Sequence, residues 1–174
     1  MRIEFNIHKT HDVRRLKFSS PPSAGFTLVE IMIVAAIIGL LSVIAVPSFL
    51  RSRRESMATR VANDLVKFGD GFELYAMANG RYPPDTHNIL PAGMDEYIKQ
   101  SSWDDCVIGG HYNWEGPAWG EGGSYSYAGI ALFETPASTE VLTAVDKILD
   151  DGNLGTGNFR LMDNGRYTYV LEER

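Results

Sequence analysis

Cysteine is nearly missing from this chain. Cys106 stands alone, so no intrachain disulfide can form, and neither CxxC nor any Cys/His spacing points to zinc. Cys106 itself reads as a small buried hydrophobe. Catalytic signatures are missing too. There is no HExxH, no GxSxG and no phosphate-cradling glycine loop. His87 and His111 stand apart, and Asp104, Asp105 and Glu115 are carboxylates of the kind any acidic chain offers. With no convergent constellation, an enzyme is not the expectation. Basic residues are the minority, 16 Lys and Arg against 22 Asp and Glu, for a net charge of −6. The imbalance is local. Residues 1–25 carry Arg2, Lys9, Arg14, Arg15 and Lys17 against Glu4 and Asp12, a net +3, which leaves −9 for the rest. An acidic body cannot neutralise phosphates, so nucleic acid is not an expected partner.

Charge is absent altogether from Ile31 to Val46, and Glu30 is the one charged residue between Phe26 and Leu50. About 20 apolar residues span a bilayer as a helix, so this run is long enough. Arg51, Arg53 and Arg54 end it. They suit headgroup contact at a membrane interface, or salt bridges between subunits. Pro47 lacks an N–H and should kink the helix near its end. Gly39 and Ser42 share a face on which another helix could approach.

Three readings compete for this run. It could be a secretory signal cut after Val43-Ile44-Ala45, which would release an acidic globular protein. It could be a plain anchor for a monomeric binding module. Or it could be exposed by cleavage before it, after Gly25. Only the third explains Glu30. A carboxylate in hydrocarbon is costly and needs a partner. Cleavage after Gly25 gives Phe26 a free α-amine four residues away. That cation could pair with Glu30 of its own chain or of a neighbour, so that a buried charge sets the register between subunits.

The segment Gly25-Phe26-Thr27-Leu28-Val29-Glu30, behind a basic leader and ahead of Pro47, resembles the processing motif of type IV prepilins and type II secretion pseudopilins. The resemblance implies cleavage after Gly25 by prepilin peptidase, N-methylation of Phe26, and assembly at an inner-membrane platform. The product would be a filament of like or mixed subunits with their apolar helices in its core. It also implies a single-pass inner-membrane precursor with its globular part in the periplasm, then a periplasmic or extracellular filament. The Asn-Gly-Arg-Tyr-Pro stretch at 79–83 leans toward the pseudopilin branch, whose job is protein export. The disulfide-bounded C-terminal loop of type IVa pilins has no cysteines to form it here. A type IV pilus for adhesion, motility or DNA uptake is the alternative.

Helical periodicity continues beyond the arginines. Met57, Val61, Leu65, Phe68, Phe72 and Tyr75 recur at threes and fours, one face of a helix. Gly69 and Gly71 weaken it locally, and Asn79-Gly80 ends it. Pro83-Pro84 enforces an extended exit. A short helix is expected near 95–100, strands over 111–114 and 124–133, and a helix opened by Thr135-Pro136 that buries Val141, Leu142, Val145, Ile148 and Leu149. Asp163-Asn164-Gly165 marks a C-terminal hairpin. The expectation is therefore an α+β, pilin-like fold. Residues 1–25 form a leader, 26–50 an apolar membrane or filament-core helix, and 51–80 its amphipathic continuation. Residues 81–174 form a small antiparallel head with a second helix and the hairpin.

Two clusters in the head remain. Trp103, Tyr112, Trp114, Trp119, Tyr125 and Tyr127 are dense; they read as core rather than as a stacking platform. Asp146, Asp150, Asp151 and Asn153 gather at the end of the second helix, where carboxylates oppose the helix dipole. Calcium would offset them with oxygen ligation, and a calcium site in a C-terminal loop is what the pseudopilin resemblance implies. A solvated acidic turn is the other reading.

Overall fold

The computed structural model describes residues 25–174. The leader expected over residues 1–25 thus lies, but for Gly25, outside the described residues. The chain divides into one unit up to Ser42 and a second from Val43 to Arg174.

Helix α1 runs Leu28–Asn79 without interruption through Pro47. Its residues in the first unit are exposed without exception. They are Ile, Leu, Val, Met, Ala and Gly beside Glu30 and Ser42, and Ser42 Oγ donates to the Ile38 carbonyl at 2.7 Å. Beyond the first turn, the helix pairs the backbone polar groups of such a segment within itself, and the serine hydroxyl is satisfied there too, as a hydrocarbon environment demands.

In the second unit α1 buries Ala58, Val61, Ala62, Leu65, Phe68 and Phe72, the stripe that the periodicity predicts. The two glycines have a purpose that propensity hides. A Cβ on Gly69 would meet Leu171 Cδ2 at 2.8 Å, and one on Gly71 would meet Ile98 Cγ1 at 2.9 Å. They are where other segments press closest on the helix. Gly80, at φ +74°, closes α1 in the left-handed region that favours glycine.

Four strands, β1 His111–Glu115, β2 Tyr127–Phe133, β3 Phe159–Leu161 and β4 Tyr167–Glu173, form one antiparallel sheet in the order β1-β2-β4-β3. Trp114 faces Ile130, which faces Tyr169, which faces Phe159. This row and the Tyr112–Leu132 row lie on one face of the sheet. It is the face that meets α1: Phe72 stacks on Trp114 with ring centres 3.8 Å apart, and Phe68 meets Tyr112 edge-on at 5.0 Å. Trp103, Tyr112 and Trp114 are fully buried, while Trp119 and Tyr125 are half-buried. The dense aromatics are core, as composition suggested. The exit segment is pinned to the same cluster, since Trp114 Nε1 donates to the Pro83 carbonyl at 3.2 Å.

Several boundaries depart from expectation. The short helix near 95–100 is two pieces, a 3₁₀ turn Met94–Glu96 and α2 Gln100–Trp103. The strand expected from Ser124 begins at Tyr127, because Ser124 and Tyr125 instead close a loop onto Gly116 and Ala118. Thr135-Pro136 does not open the second helix. Thr135 Oγ1 accepts from Ala137 N in a local turn, and α3 spans Thr139–Leu149 after Ser138. The residue before a proline is held extended, which delays the start. On α3, Val141, Leu142, Val145 and Asp146 are buried while Ile148 is 50% exposed. The acid points inward and the isoleucine does not. The hairpin is as read: Gly165 N donates to the Met162 carbonyl at 2.9 Å, with Gly165 at φ +79°.

Candidate functional site

The start of α1 is built by three residues. Thr27 precedes the helix, and its Oγ1 accepts from Glu30 N at 3.2 Å. Glu30 Oε2 accepts from Thr27 N and from Thr27 Oγ1, both at 2.8 Å. This reciprocal exchange is a capping box: each side chain satisfies a backbone donor that the first turn leaves free. Glu30 therefore has partners within its own chain, in a chain that continues N-terminal to Phe26. The Thr-x-x-Glu spacing was legible in the sequence, yet the reading from charge alone looked only to the Phe26 amine. Gly25 and Phe26 lie outside the helix, and Phe26 is 83% exposed.

Beyond the box, α1 offers Leu40, Leu41, Val43 and Ile44 to the exterior. Nothing lies within 4 Å of a Cβ placed on Gly39, so its small size serves no contact within this chain. Pro47 frees the Val43 carbonyl inside the helix. An apolar surface this long and this bare marks a membrane or a protein interface. Arg51 pairs with Glu55 at 2.8 Å on an open surface. Arg53 and Arg54 are exposed and make no ion pair among the described residues.

The acidic turn after α3 is only partly what the sequence suggested. Asp150 accepts from Asn158 N through a very short contact. Asp151 accepts from Asn153 N at 2.7 Å and Thr156 Oγ1 at 2.9 Å, and Asn153 Oδ1 accepts from Gly155 N at 3.2 Å. These oxygens hold the turn itself. Among the described residues no three Asp, Glu, His or Cys side chains gather to hold a metal ion, so the Asn153 amide oxygen and backbone carbonyls would have to complete any calcium shell. Asp146 differs from the rest. It is fully buried, and both carboxylate oxygens lack a hydrogen-bond partner. Burial, with Asp151 and Asp150 nearby, holds its carboxyl above the usual carboxylate range. The Gly152 N–H offsets part of this without meeting hydrogen-bond geometry.

The remaining chemistry-bearing residues are structural. Glu115 is fully buried on the sheet face opposite α1. Its Oε1 accepts from Asn164 Nδ2 at 2.8 Å and Arg166 Nη1 at 3.0 Å. Its Oε2 accepts from Tyr127 OH at 2.8 Å and Thr168 Oγ1 at 3.0 Å. Asp105 pairs with Arg60 at 2.5 Å. His111 is exposed, and exposed His87 meets the Phe133 ring edge-on. Cys106 is half-buried rather than buried, and burial pushes its thiol up.

Comparison with known proteins bears on the same segment. The family described as "Prokaryotic N-terminal methylation motif" matches residues 21–46. A type IV wide pilus major component of Thermus thermophilus, PilA4, is 31% identical over 98 residues, which cover 50% of this chain and 72% of that protein. Type II secretion system core protein G of Klebsiella pneumoniae is 37% identical over 59 residues, 34% of this chain and 42% of its own. The corresponding protein of Escherichia coli is 31% identical over 65 residues, 37% and 45%. The matches to these two core proteins G thus span less than half of either relative. No solved structure matches the chain. A capped, bare apolar helix that begins within the matched methylation motif, and identity over most of a pilus subunit's length, place the chain in the family of type IV pilins and type II secretion pseudopilins.

Proposed function

We propose that this chain is a filament subunit made as a membrane-inserted precursor, cleaved after Gly25 and N-methylated on Phe26 by a prepilin peptidase. It assembles through α1 at an inner-membrane platform into a type II secretion pseudopilus that drives protein export. Before assembly the globular part, residues 81–174, faces the periplasm and Arg51, Arg53 and Arg54 lie at the headgroups. The observation that carries the reading is the first turn of α1: an exposed Gly25-Phe26 junction, then Glu30 held at the head of a bare apolar helix. In the precursor, the capping box offsets part of the cost of placing Glu30 near hydrocarbon. After cleavage, Glu30 is positioned to take the new Phe26 amine of a neighbour.

The repeated likeness to core proteins G supports the pseudopilus. The longer match, to a wide-pilus component, favours a type IV pilus as the second reading. Deleting the gene in its host separates them. Loss of protein export with surface pili intact supports the first, and loss of surface pili with export intact supports the second. Glu30→Leu tests assembly under both. The precursor should reach the membrane at normal level while sheared filaments disappear; normal filaments would refute the role given to Glu30.

A further inference from the structure

Helices α1 and α3 leave a groove of about 670 Å³ between them, within the range of small-molecule sites, about 300–1,000 Å³. Its walls carry four charges, Arg51 and Glu55 on α1 and Glu140 and Lys147 on α3. Arg51 and Glu55 pair at 2.8 Å on an open surface. Glu140 and Lys147 are exposed and make no ion pair among the described residues. Thr143 adds a hydroxyl to the α3 wall, and half-exposed Ile148 an apolar flank.

The groove begins where the apolar run ends. Arg51 directly follows Leu50, and at about 1.5 Å per residue Glu55 lies about 7.5 Å beyond that leucine. The headgroup layer on each side of a hydrocarbon core is about 5–8 Å deep. With Leu50 at the edge of the hydrocarbon, both residues fall at headgroup depth. Glu140, in the first turn of α3, is close enough to Arg54 to feel its charge, so the second wall starts at the same level.

The charges select among headgroups. Two acids and two bases cancel, so the groove as a whole exerts no net pull on an anionic lipid. Charges of both signs suit a zwitterion, with its phosphate on a cation and its ammonium on a carboxylate. A primary ammonium donates three hydrogen bonds. A quaternary ammonium donates none and is held instead by aromatic rings, and among the described residues no aromatic side chain lines this groove.

We infer that the groove between α1 and α3 seats the headgroup of phosphatidylethanolamine, its phosphate on Arg51 and its ammonium on Glu140. This rests on the membrane-inserted precursor proposed above and names the lipid that it meets. Glu55 releases Arg51 cheaply, since an exposed pair of this kind contributes little. A seated headgroup tethers α3, and with it the globular part, to the membrane surface until the subunit is extracted.

The test uses the full chain in detergent, offered equal amounts of phosphatidylethanolamine, phosphatidylcholine and phosphatidylglycerol with identical acyl chains. Native mass spectrometry reads the lipid retained. Wild type should retain phosphatidylethanolamine about fivefold over either of the others, roughly 1 kcal/mol of preference. Glu55→Gln with Glu140→Gln leaves the two cations unopposed, so this double variant should lose that preference and favour phosphatidylglycerol about threefold. A switch of lipid, unlike a mere loss, separates recognition from damage to the fold. Lys67→Gln, exposed on α1 outside the groove, should behave as wild type. Equal retention of the three lipids by wild type, or a preference unchanged in the double variant, overturns the proposal. Wild type recovered as lipid-free dimers overturns it too, since a second copy would then fill the groove. A full chain that stays out of the membrane fraction of its host overturns the membrane-inserted precursor itself.

Discussion

Truncation of Glu115 gives the sharpest energetic prediction. The carboxylate is fully buried and accepts four hydrogen bonds, from Asn164, Arg166, Tyr127 and Thr168. These tie β1 to β2, to β4 and to the hairpin turn. Glu115→Ala strands four donors. Arg166 keeps some exposure and also sits over the Phe133 ring at 4.6 Å, so it can turn outward. Asn164 retains Tyr127 OH at 3.2 Å. Thr168 is fully buried and Tyr127 nearly so, and neither regains water. Stranded buried donors cost about 1–3 kcal/mol each, and breaking a buried ion pair costs about 3–5. A total of about 3–5 kcal/mol is expected, which for a chain of this length lowers the melting midpoint by about 6–20 °C. Near-UV circular dichroism of the full chain in detergent is the assay. It reads the packing of Trp103 and Trp114 and is blind to an apolar helix that stays folded in detergent. Glu115→Gln, which keeps the shape but turns one acceptor into a donor, should lose roughly half as much. A loss below about 1 kcal/mol for Glu115→Ala would refute the claim that this network is dry and holds the sheet.

Asp146→Asn should raise the stability by about 1–2 kcal/mol at neutral pH in chelator, because it removes a buried carboxylate without partners. The sign follows from linkage. The folded state holds the Asp146 proton more tightly than the unfolded chain does. Wild-type stability therefore falls as pH rises from the ordinary carboxylate value through the raised one, and the variant should flatten that slope. A calcium titration of both proteins decides the other reading of the turn: a wild-type midpoint that climbs with calcium, and a variant midpoint that does not, would mean a cation completes the site. Gly69→Val should destabilise by about 1–3 kcal/mol, since even its Cβ would lie 2.8 Å from Leu171, whereas Gly69→Ala should lose little, because the contact is a flexible side-chain end and the helix gains propensity. The Tyr82 phenol, pushed up to about 12 mainly by burial and then by Glu172 and Glu73, should ionise only in strong alkali, as the difference between alkaline absorbance titrations of the wild type and Tyr82→Phe would show; early ionisation would show the Tyr82-Pro83 exit loose from Trp114.

What was readable in the sequence depended on range. The apolar run, the stripe from Val61 to Phe72 and the Asn164-Gly165 turn are set by neighbours three or four residues away, and each was visible as spacing. Gly69 and Gly71 were misjudged as weak points because their reason is Leu171 and Ile98, far along the chain. Glu115 gave no sign of its burial. Strand alternation placed it opposite Trp114's side, but which groups meet there depends on β4 pairing across β2. Asp146 is buried and Ile148 half-exposed, the reverse of what hydrophobic periodicity predicts, since a pattern of apolar residues cannot foresee an inward carboxylate. The capping box is the instructive omission. The Thr27-x-x-Glu30 spacing carries it in the sequence, but a carboxylate in an apolar run by itself points first to a cation and not to the threonine three residues before it.

The account stands or falls on the state of the N-terminus. Mass spectrometry of the N-terminal peptide of protein recovered from its native host should find a chain beginning at methylated Phe26. A chain beginning at Val46, or one still carrying Met1, would contradict it, because Glu30 would then face no new amine and α1 would have no filament to build.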